Sequence, residues 1–433
     1  MDVSQARALP LTRWGRGPLP PIVLGGLLLL WPAFWNGYPI LYSDTGGLIE
    51  MSLEPTMGWD KPWIYGPFVH LFHWRITLWA PVVAQGLLLS ALLYAVAARF
   101  GVRRGHVVRC AVLAAGSAAP WFASLLMPDF FTPVSVLCLV LVAMGGSLAW
   151  GVLGAVAIAS HLSHLILAAG VVVALGILGR RWPWRPALAL VGAVGLLLLT
   201  NLVGYGRATV SPNGSVFALA RLIGDGPGRW YIDRVCPEAG LKLCAWSGRL
   251  ATDSDTFLWF PQGPLWDRSL WGDAFGPVAL APEAARLVPA IIAAYPGQVL
   301  VAAIGNTVAQ LRLVRVGDTL GPDSLEEAVV PKLALYFPPA ELARYRASRQ
   351  AQGTLEPPPY ALHLALLGLG LAGTVALLAF ARWRVLAGVV LVALLANAAS
   401  TGALSAPHDR YQARIACLLL LPPLLFVSSR PKR

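Results

Sequence analysis

Charge is what this chain has least of. Only 12% of its 433 residues are Asp, Glu, Lys or Arg, against roughly 25% in a soluble domain. Hydrophobic residues make up 57% and the mean hydropathy is +0.65. So few charges cannot cover the surface of a water-soluble protein of this length, which excludes a soluble enzyme and points to an all-α, polytopic integral membrane protein. Acidic residues are scarcer than basic ones, 21 against 33, for a formal charge of +12. That excess does not indicate a nucleic-acid partner, because the basic residues gather at the ends of apolar runs: Arg7, Arg13 and Arg16; Arg99, Arg103, Arg104 and Arg109; Arg180, Arg181 and Arg185; Arg382 and Arg384; Arg430, Lys432 and Arg433. Such clusters set orientation in a bilayer by remaining on the cytoplasmic side.

Enzyme signatures of soluble folds are missing as well. There is no phosphate-cradling P-loop, no Gly-x-Ser-x-Gly elbow and no His-Glu-x-x-His helix. Gly368-Leu369-Gly370 lies inside an apolar run, where small residues serve helix packing. Cysteines number five. Cys110, Cys138 and Cys417 lie in or beside apolar runs and are expected to be buried apolar residues. Cys236 and Cys244 fall in the longest polar stretch and are expected to form a disulfide in an oxidising compartment. No second Cys or His pair accompanies them, so no metal site is expected there.

The apolar runs fit ten spans, at about 19–41, 76–98, 107–126, 131–149, 150–161, 164–179, 186–204, 360–381, 385–404 and 413–428. Residues 150–179 are too long for one helix and short for two. Two short helices broken around His161-Leu162-Ser163-His164 keep Arg180, Arg181 and Arg185 on the same side as the other basic clusters. The run before residue 42 lacks a small-residue cleavage site and is expected to be retained as a span, with both termini cytoplasmic. Three parts result: an N-terminal module over 1–204 whose first outer loop covers about 36–75, a mainly helical outer domain over 205–358, and a C-terminal module over 359–433. Residues 284–314 are apolar but carry Arg286, Pro289, Pro296, Gln298, Asn306 and Gln310. Two helices packed within the outer domain or lying on the membrane surface are expected there rather than a span. Pro357-Pro358-Pro359 closes the domain.

Three places on the outer side carry ionisable groups beside spans, where they are costly unless used. The first is Tyr42-Ser43-Asp44-Thr45-Gly46-Gly47, followed in the same loop by Glu50, Asp60 and Lys61. The second is Asp129 in Met127-Pro128-Asp129-Phe130, and the third is His408-Asp409-Arg410-Tyr411. Each also has a plain structural role open to it. Asp44 and Asp129 stand where they would cap a helix. Arg410 would anchor the last span by snorkelling, Lys61 would be a solvated loop charge, and His161 and His164 would pack in a broken helix. Trp31, Trp35, Trp59 and Trp63 are most simply a membrane belt.

In order and placement these motifs resemble the C-type (GT-C) superfold of membrane glycosyltransferases, which use polyprenyl-phosphate sugars as donors. The first outer loop of that superfold carries an Asp in a Tyr-x-Asp-Ser/Thr context, then an Arg/Lys-Pro-x-x-Tyr segment. Here these are Tyr42-Ser43-Asp44-Thr45 and Lys61-Pro62-Trp63-Ile64-Tyr65. An acid in the second outer loop corresponds to Asp129, an Arg-Tyr pair before a late span to Arg410-Tyr411, and the paired short helices to the break at His161–His164. Leu48 stands where an aromatic is usual, and Thr45 where many members have a second carboxylate. Residues 205–358 lie outside the resemblance.

The resemblance implies a glycosyltransferase of a bacterial inner membrane, active on its periplasmic face. It would move a sugar from a polyprenyl-phosphate donor to an envelope lipid, glycan or protein. Asp44 would be the general base, Asp129 a second catalytic acid, and Arg410, Tyr411, Lys61 and His408 the donor-phosphate ligands, with His161 and His164 as further donor contacts. No cofactor is implied, and one carboxylate per loop is sparse for a divalent ion. A transporter or flippase also fits a multi-span chain, though it would need charged midspan sites or similar halves. A non-catalytic scaffold of envelope assembly fits too.

Overall fold

The computed structural model describes residues 17–429, so the expected anchors Arg7, Arg13, Arg16, Arg430, Lys432 and Arg433 lie outside the described residues. The described chain is all-helical, and its one β-type contact is an isolated bridge between Ile40 and Leu125.

The N-terminal module contains α1 (Leu19–Leu28), α2 (Trp31–Asn36), α3 (Ser43–Leu53), α4 (Tyr65–His73), α5 (Trp79–Arg99), α6 (His106–Gly116), α7 (Ala119–Ser124), α8 (Phe131–Ala143), α9 (Leu148–Ala159), α10 (Ser163–Gly179) and α11 (Trp184–Tyr205). The outer part follows with α12 (Gly214–Asp225), α13 (Pro227–Val235), α14 (Ser254–Trp259), α15 (Arg268–Trp271), α16 (Gly276–Ala294), α17 (Pro296–Arg312), α18 (Leu325–Ala328), α19 (Val330–Tyr336) and α20 (Pro339–Arg346). Four helices close the chain: α21 (Tyr360–Ala376), α22 (Ala381–Leu404), α23 (Asp409–Ala416) and α24 (Leu421–Ser428).

Among the described residues, six helical stretches are long and apolar enough to cross a membrane: Trp79–Arg99, Trp184–Tyr205, Gly276–Ala294, Tyr360–Ala379, Ala381–Leu404 and Asp409–Ser428. Five more are apolar but shorter, among them Leu148–Ala159 and Ser163–Gly179, which are separated at residues 160–162. Several expected single spans are broken instead. The run 19–41 divides into α1 and α2, with Pro32 in the first turn of α2 and Gly37 ending it in the left-handed region at φ 79°. The run 107–126 divides at extended Ser117, just before Pro120 in the first turn of α7. In both, proline begins a new helix rather than continuing the old one.

α5, α8, α10 and α22 run from one end of the bundle to the other. Near one end lie Leu78, Asp129, Ser163 and Asn397; near the other lie Phe100, Gly145, Gly179 and Arg382. The 17 residues of α10 span about 25 Å. Small residues let these helices approach: a Cβ at Gly170 would press on Ala396, and one at Gly388 on Leu178. Arg99, Arg181, Arg185 and Arg382 gather at the end remote from Asp129.

Two hydrophobic cores divide the outer part. One joins buried residues from Val216 to Ile291 and includes one face of α16. There Glu283 accepts the backbone N–H groups of Lys242 (2.9 Å) and Leu243 (3.2 Å), so α16 is committed to this core although its length and composition would allow a crossing. Cys236 and Cys244 are disulfide-bonded at its edge. Residues from Val316 to Leu355 instead join the core of the membrane module. Glu341 and Gln350 explain why. Glu341, fully buried, accepts from Tyr38 Oη (2.7 Å), Thr77 Oγ1 (3.0 Å) and Leu78 N (2.8 Å). Gln350 accepts from Leu41 N (2.9 Å) and donates to Leu41 O (2.7 Å).

α17 departs from expectation. It packs along α22, where Gly402 lets the Asn306 carbonyl approach, and it turns Leu300, Val301, Ile304 and Val308 outward. Its inward face, Ala302, Ala303, Asn306 and Thr307, is small enough for close contact.

Candidate functional site

The segment Tyr38–Leu41, pinned by Glu341 and Gln350, delivers the chain to Tyr42, where α3 begins. The start of that helix is secured by Thr45, not by Asp44. Thr45 Oγ1 accepts the Tyr42 N–H (2.9 Å) and donates to the Leu126 carbonyl (3.1 Å). Gly46 then lies so close to the Ala328 carbonyl that no Cβ fits. Asp44 is therefore free to point away from its own helix while still sitting in the first turn, where the helix dipole favours a carboxylate.

Its partner is Lys61, whose ammonium lies 2.7 Å from Asp44 Oδ1 and 3.0 Å from Asp60 Oδ2. On the other side Arg410 Nη1 lies 3.9 Å from Asp44 Oδ2, an ionic contact too long for a hydrogen bond. Burial alone would raise the Asp44 carboxyl, but Lys61 and Arg410 outweigh it and hold it below its ordinary value. Burial does raise Asp60, helped by the negative charge of Asp44 and opposed by Lys61. Lys61, which burial would lower, is held above its ordinary value by the two carboxylates.

The guanidinium of Arg410 sits over the rings of Tyr42 (4.6 Å) and Tyr411 (4.9 Å), donates to Tyr411 Oη at 3.3 Å, and is only 12% exposed. Its backbone N–H is held by Asp318 Oδ2 (2.8 Å). Arg410 is thus turned into the cluster rather than toward a membrane surface. One turn further along α23, Arg414 is completely buried and pairs with equally buried Asp129 (Nη1 to Oδ1, 3.1 Å), while its Nη2 donates to Ser163 Oγ (2.9 Å) and Asn397 Oδ1 (3.2 Å). Asp129 accordingly does not cap α8; it anchors α23 to the turn before α8.

The two histidines differ. His164 is buried with both ring nitrogens used, one at Thr132 Oγ1 (2.8 Å) and the other at the Ala157 carbonyl (2.8 Å). It packs in the helix break and has no nitrogen left for a ligand. His161 engages Ser163 through Nδ1 (2.8 Å) and lies in the field of Arg414, Arg410, Asp44 and Lys61, its Nε2 without a hydrogen bond. His408 is held by an acidic partner at the edge of the cluster. Its Nε2 lies 2.7 Å from Asp255 Oδ2, in the outer part of the chain, and its ring stands edge-on to Tyr411.

The structure therefore brings Asp44, Asp60, Lys61, Tyr42, Arg410 and Tyr411 together, with Asp129, Arg414 and His161 behind them. Three carboxylates face three cations. Among the described residues, Arg410 Nη1, Arg414 Nε and Asp129 Oδ2 are buried without a hydrogen-bond partner, a costly condition. No group of three His, Cys, Asp or Glu side chains suited to a metal ion occurs among the described residues. Arg414 was not foreseen as a site residue, although it stands four residues after Arg410, on the same face of one helix. Compared with known protein families, with curated proteins and with solved structures, the chain has no significant match in any of the three.

Proposed function

We propose that this helical membrane protein is a glycosyltransferase that moves a sugar from a polyprenyl-phosphate donor to an acceptor at the outer membrane face. The observation that carries the proposal is the Asp44 carboxylate flanked by Lys61 and Arg410, with Arg410 Nη1 buried and without a hydrogen bond. In the transfer, an acceptor hydroxyl oxygen bonds to the anomeric carbon as the bond from that carbon to the phosphate oxygen breaks. The acceptor proton goes to a carboxylate and the bonding electrons leave with the phosphate. A guanidinium and an ammonium meet the charge that develops on that leaving group.

While Lys61 and Arg410 hold Asp44, its carboxyl lies below its ordinary value, which makes it a weaker base. A donor phosphate competes for the same two cations. As it draws them away, the carboxylate loses its stabilising partners and its basicity rises, so donor binding itself arms Asp44. Tyr42 and Tyr411 keep the Arg410 guanidinium in plane while it changes partners. For a phosphate acceptor, little base is needed and Asp44 orients the acceptor instead.

The paired Cys236 and Cys244 are in keeping with an oxidising compartment on the Asp44 side, as is the gathering of arginines at the opposite end, and both suit a bacterial inner membrane with a periplasmic active face. The test is mass spectrometry of membrane glycolipids and envelope glycans from a deletion strain carrying the native gene or Asp44→Asn at matched protein level. The native protein is expected to restore a sugar-bearing species that the variant does not. Equal restoration by both would overturn the carboxylate-dependent transfer and favour transport or scaffolding.

A further inference from the structure

The end of the bundle opposite Asp44 carries a cleft of about 530 Å³ between α8, α10, α11 and α22, within the size range of sites that hold sizeable small molecules. Its depth is apolar, walled by Val140, Leu175 and Val389, whereas Arg181, Arg185 and Arg382 stand among its lining residues with no carboxylate to balance them. Among the described residues none of the three arginines makes an ion pair. Arg382 donates one nitrogen to the Phe100 carbonyl (2.6 Å) and Arg185 lies over the Trp184 ring (5.1 Å). Arg181 has no hydrogen bond or ion pair among the described residues and is exposed. Three uncompensated guanidinium groups beside an apolar slot that lies between apolar helices match the two halves of one molecule, a phosphate headgroup and an acyl chain.

We propose that this cleft binds one anionic phospholipid from the membrane leaflet opposite the Asp44 cluster, with its phosphate on Arg181, Arg185 and Arg382 and an acyl chain between α8, α10 and α22. The source is a bilayer lipid and not a soluble phosphate, because the apolar depth adds affinity only for a ligand that carries a chain. The site lies at the end of the bundle opposite the Asp44 cluster and shares no residue with it.

The test uses the purified full-length protein in detergent and native mass spectrometry with phosphatidylglycerol, phosphatidylcholine of the same acyl chains, and glycerol 3-phosphate. Phosphatidylglycerol is expected to bind most tightly. In Arg181→Gln/Arg185→Gln its affinity falls by about 30-fold, from about fivefold per charge at a lipid headgroup, while the melting temperature in detergent stays unchanged. Arg181→Lys/Arg185→Lys, which folds with the same charge, keeps the preference. Equal binding of the two phospholipids, unchanged phosphatidylglycerol affinity in the Gln pair, or glycerol 3-phosphate binding as tightly as the lipid would each overturn the proposal.

Discussion

Asp44 and Lys61 titrate in opposite directions from their ordinary values, which gives the pair a wide working range. Asp44 is depressed on folding, so its contribution to stability is present above the unfolded carboxyl value, near 3.9, and is lost as pH falls through the lower folded one. Lys61 is raised, so its contribution is present below about 10.4 and is lost only as pH rises through the higher folded value. Thermal unfolding from about pH 5 to pH 9 is therefore expected to show no step that Asp44→Asn removes; a step near neutrality that vanishes in the variant would contradict this assignment. Arg410 is the next residue to test. Arg410→Lys keeps the charge but loses the planar stacking between Tyr42 and Tyr411. It should reduce transfer at least tenfold, since removing one preorganised donor typically costs about a hundredfold, whereas a purely anchoring arginine would tolerate lysine in the same glycolipid assay.

At the scale of elements, the buried Asp129–Arg414 pair ties α23 to the turn before α8. Removing one partner of such a pair leaves an uncompensated charge and costs about 3–5 kcal/mol. Asp129→Ala is expected to lower the melting temperature strongly, and adding Arg414→Met should recover much of the loss; equal melting of the single variant and the native protein would exclude an anchoring role. Gly46 makes a second junction, where α3 meets the Ala328 carbonyl. Gly46→Ala should cost about 1–3 kcal/mol through overpacking, read from the same melting curves.

Helix presence was legible in the apolar runs, and the break at 160–162 was legible in two polar histidines and the basic cluster that follows. The divisions at Pro32 and Pro120 were legible in proline itself but were outweighed by continuous hydrophobicity. Asp44, Lys61 and Arg410 stood out because ionisable groups are rare beside spans. Arg414 did not, because it is embedded in the last apolar helix and its partner lies 285 residues earlier. The contact of His408 with Asp255 was not legible, because the two residues lie 153 positions apart in the chain.

For the whole molecule, the separation of 205–358 into two bodies of contact was not visible locally. Glu341 and Gln350 carry no local signal of their role, yet they bind the Tyr38 hydroxyl and the backbone of Leu41 and Leu78 across roughly three hundred residues of sequence. The remaining outer core around α12 and α16 is stapled by Cys236–Cys244. Closing so short a loop contributes about 2–3 kcal/mol, so reduction should lower the temperature at which protease first cuts within 214–294, leaving the membrane module intact; cleavage that is independent of reductant would contradict that role.

Exchange of cations between Asp44 and a donor phosphate is the step on which the proposed chemistry turns, and binding of polyprenyl monophosphate to the native protein, Asp44→Asn and Arg410→Gln, followed by native mass spectrometry, tests it most directly. Asp44→Asn should bind the lipid phosphate at least as tightly as the native protein, because a competitor for Lys61 and Arg410 has been removed, and Arg410→Gln should lose most of the affinity. Weaker binding in Asp44→Asn, or unchanged binding in Arg410→Gln, would contradict the exchange and with it the assignment of this cluster as the donor site.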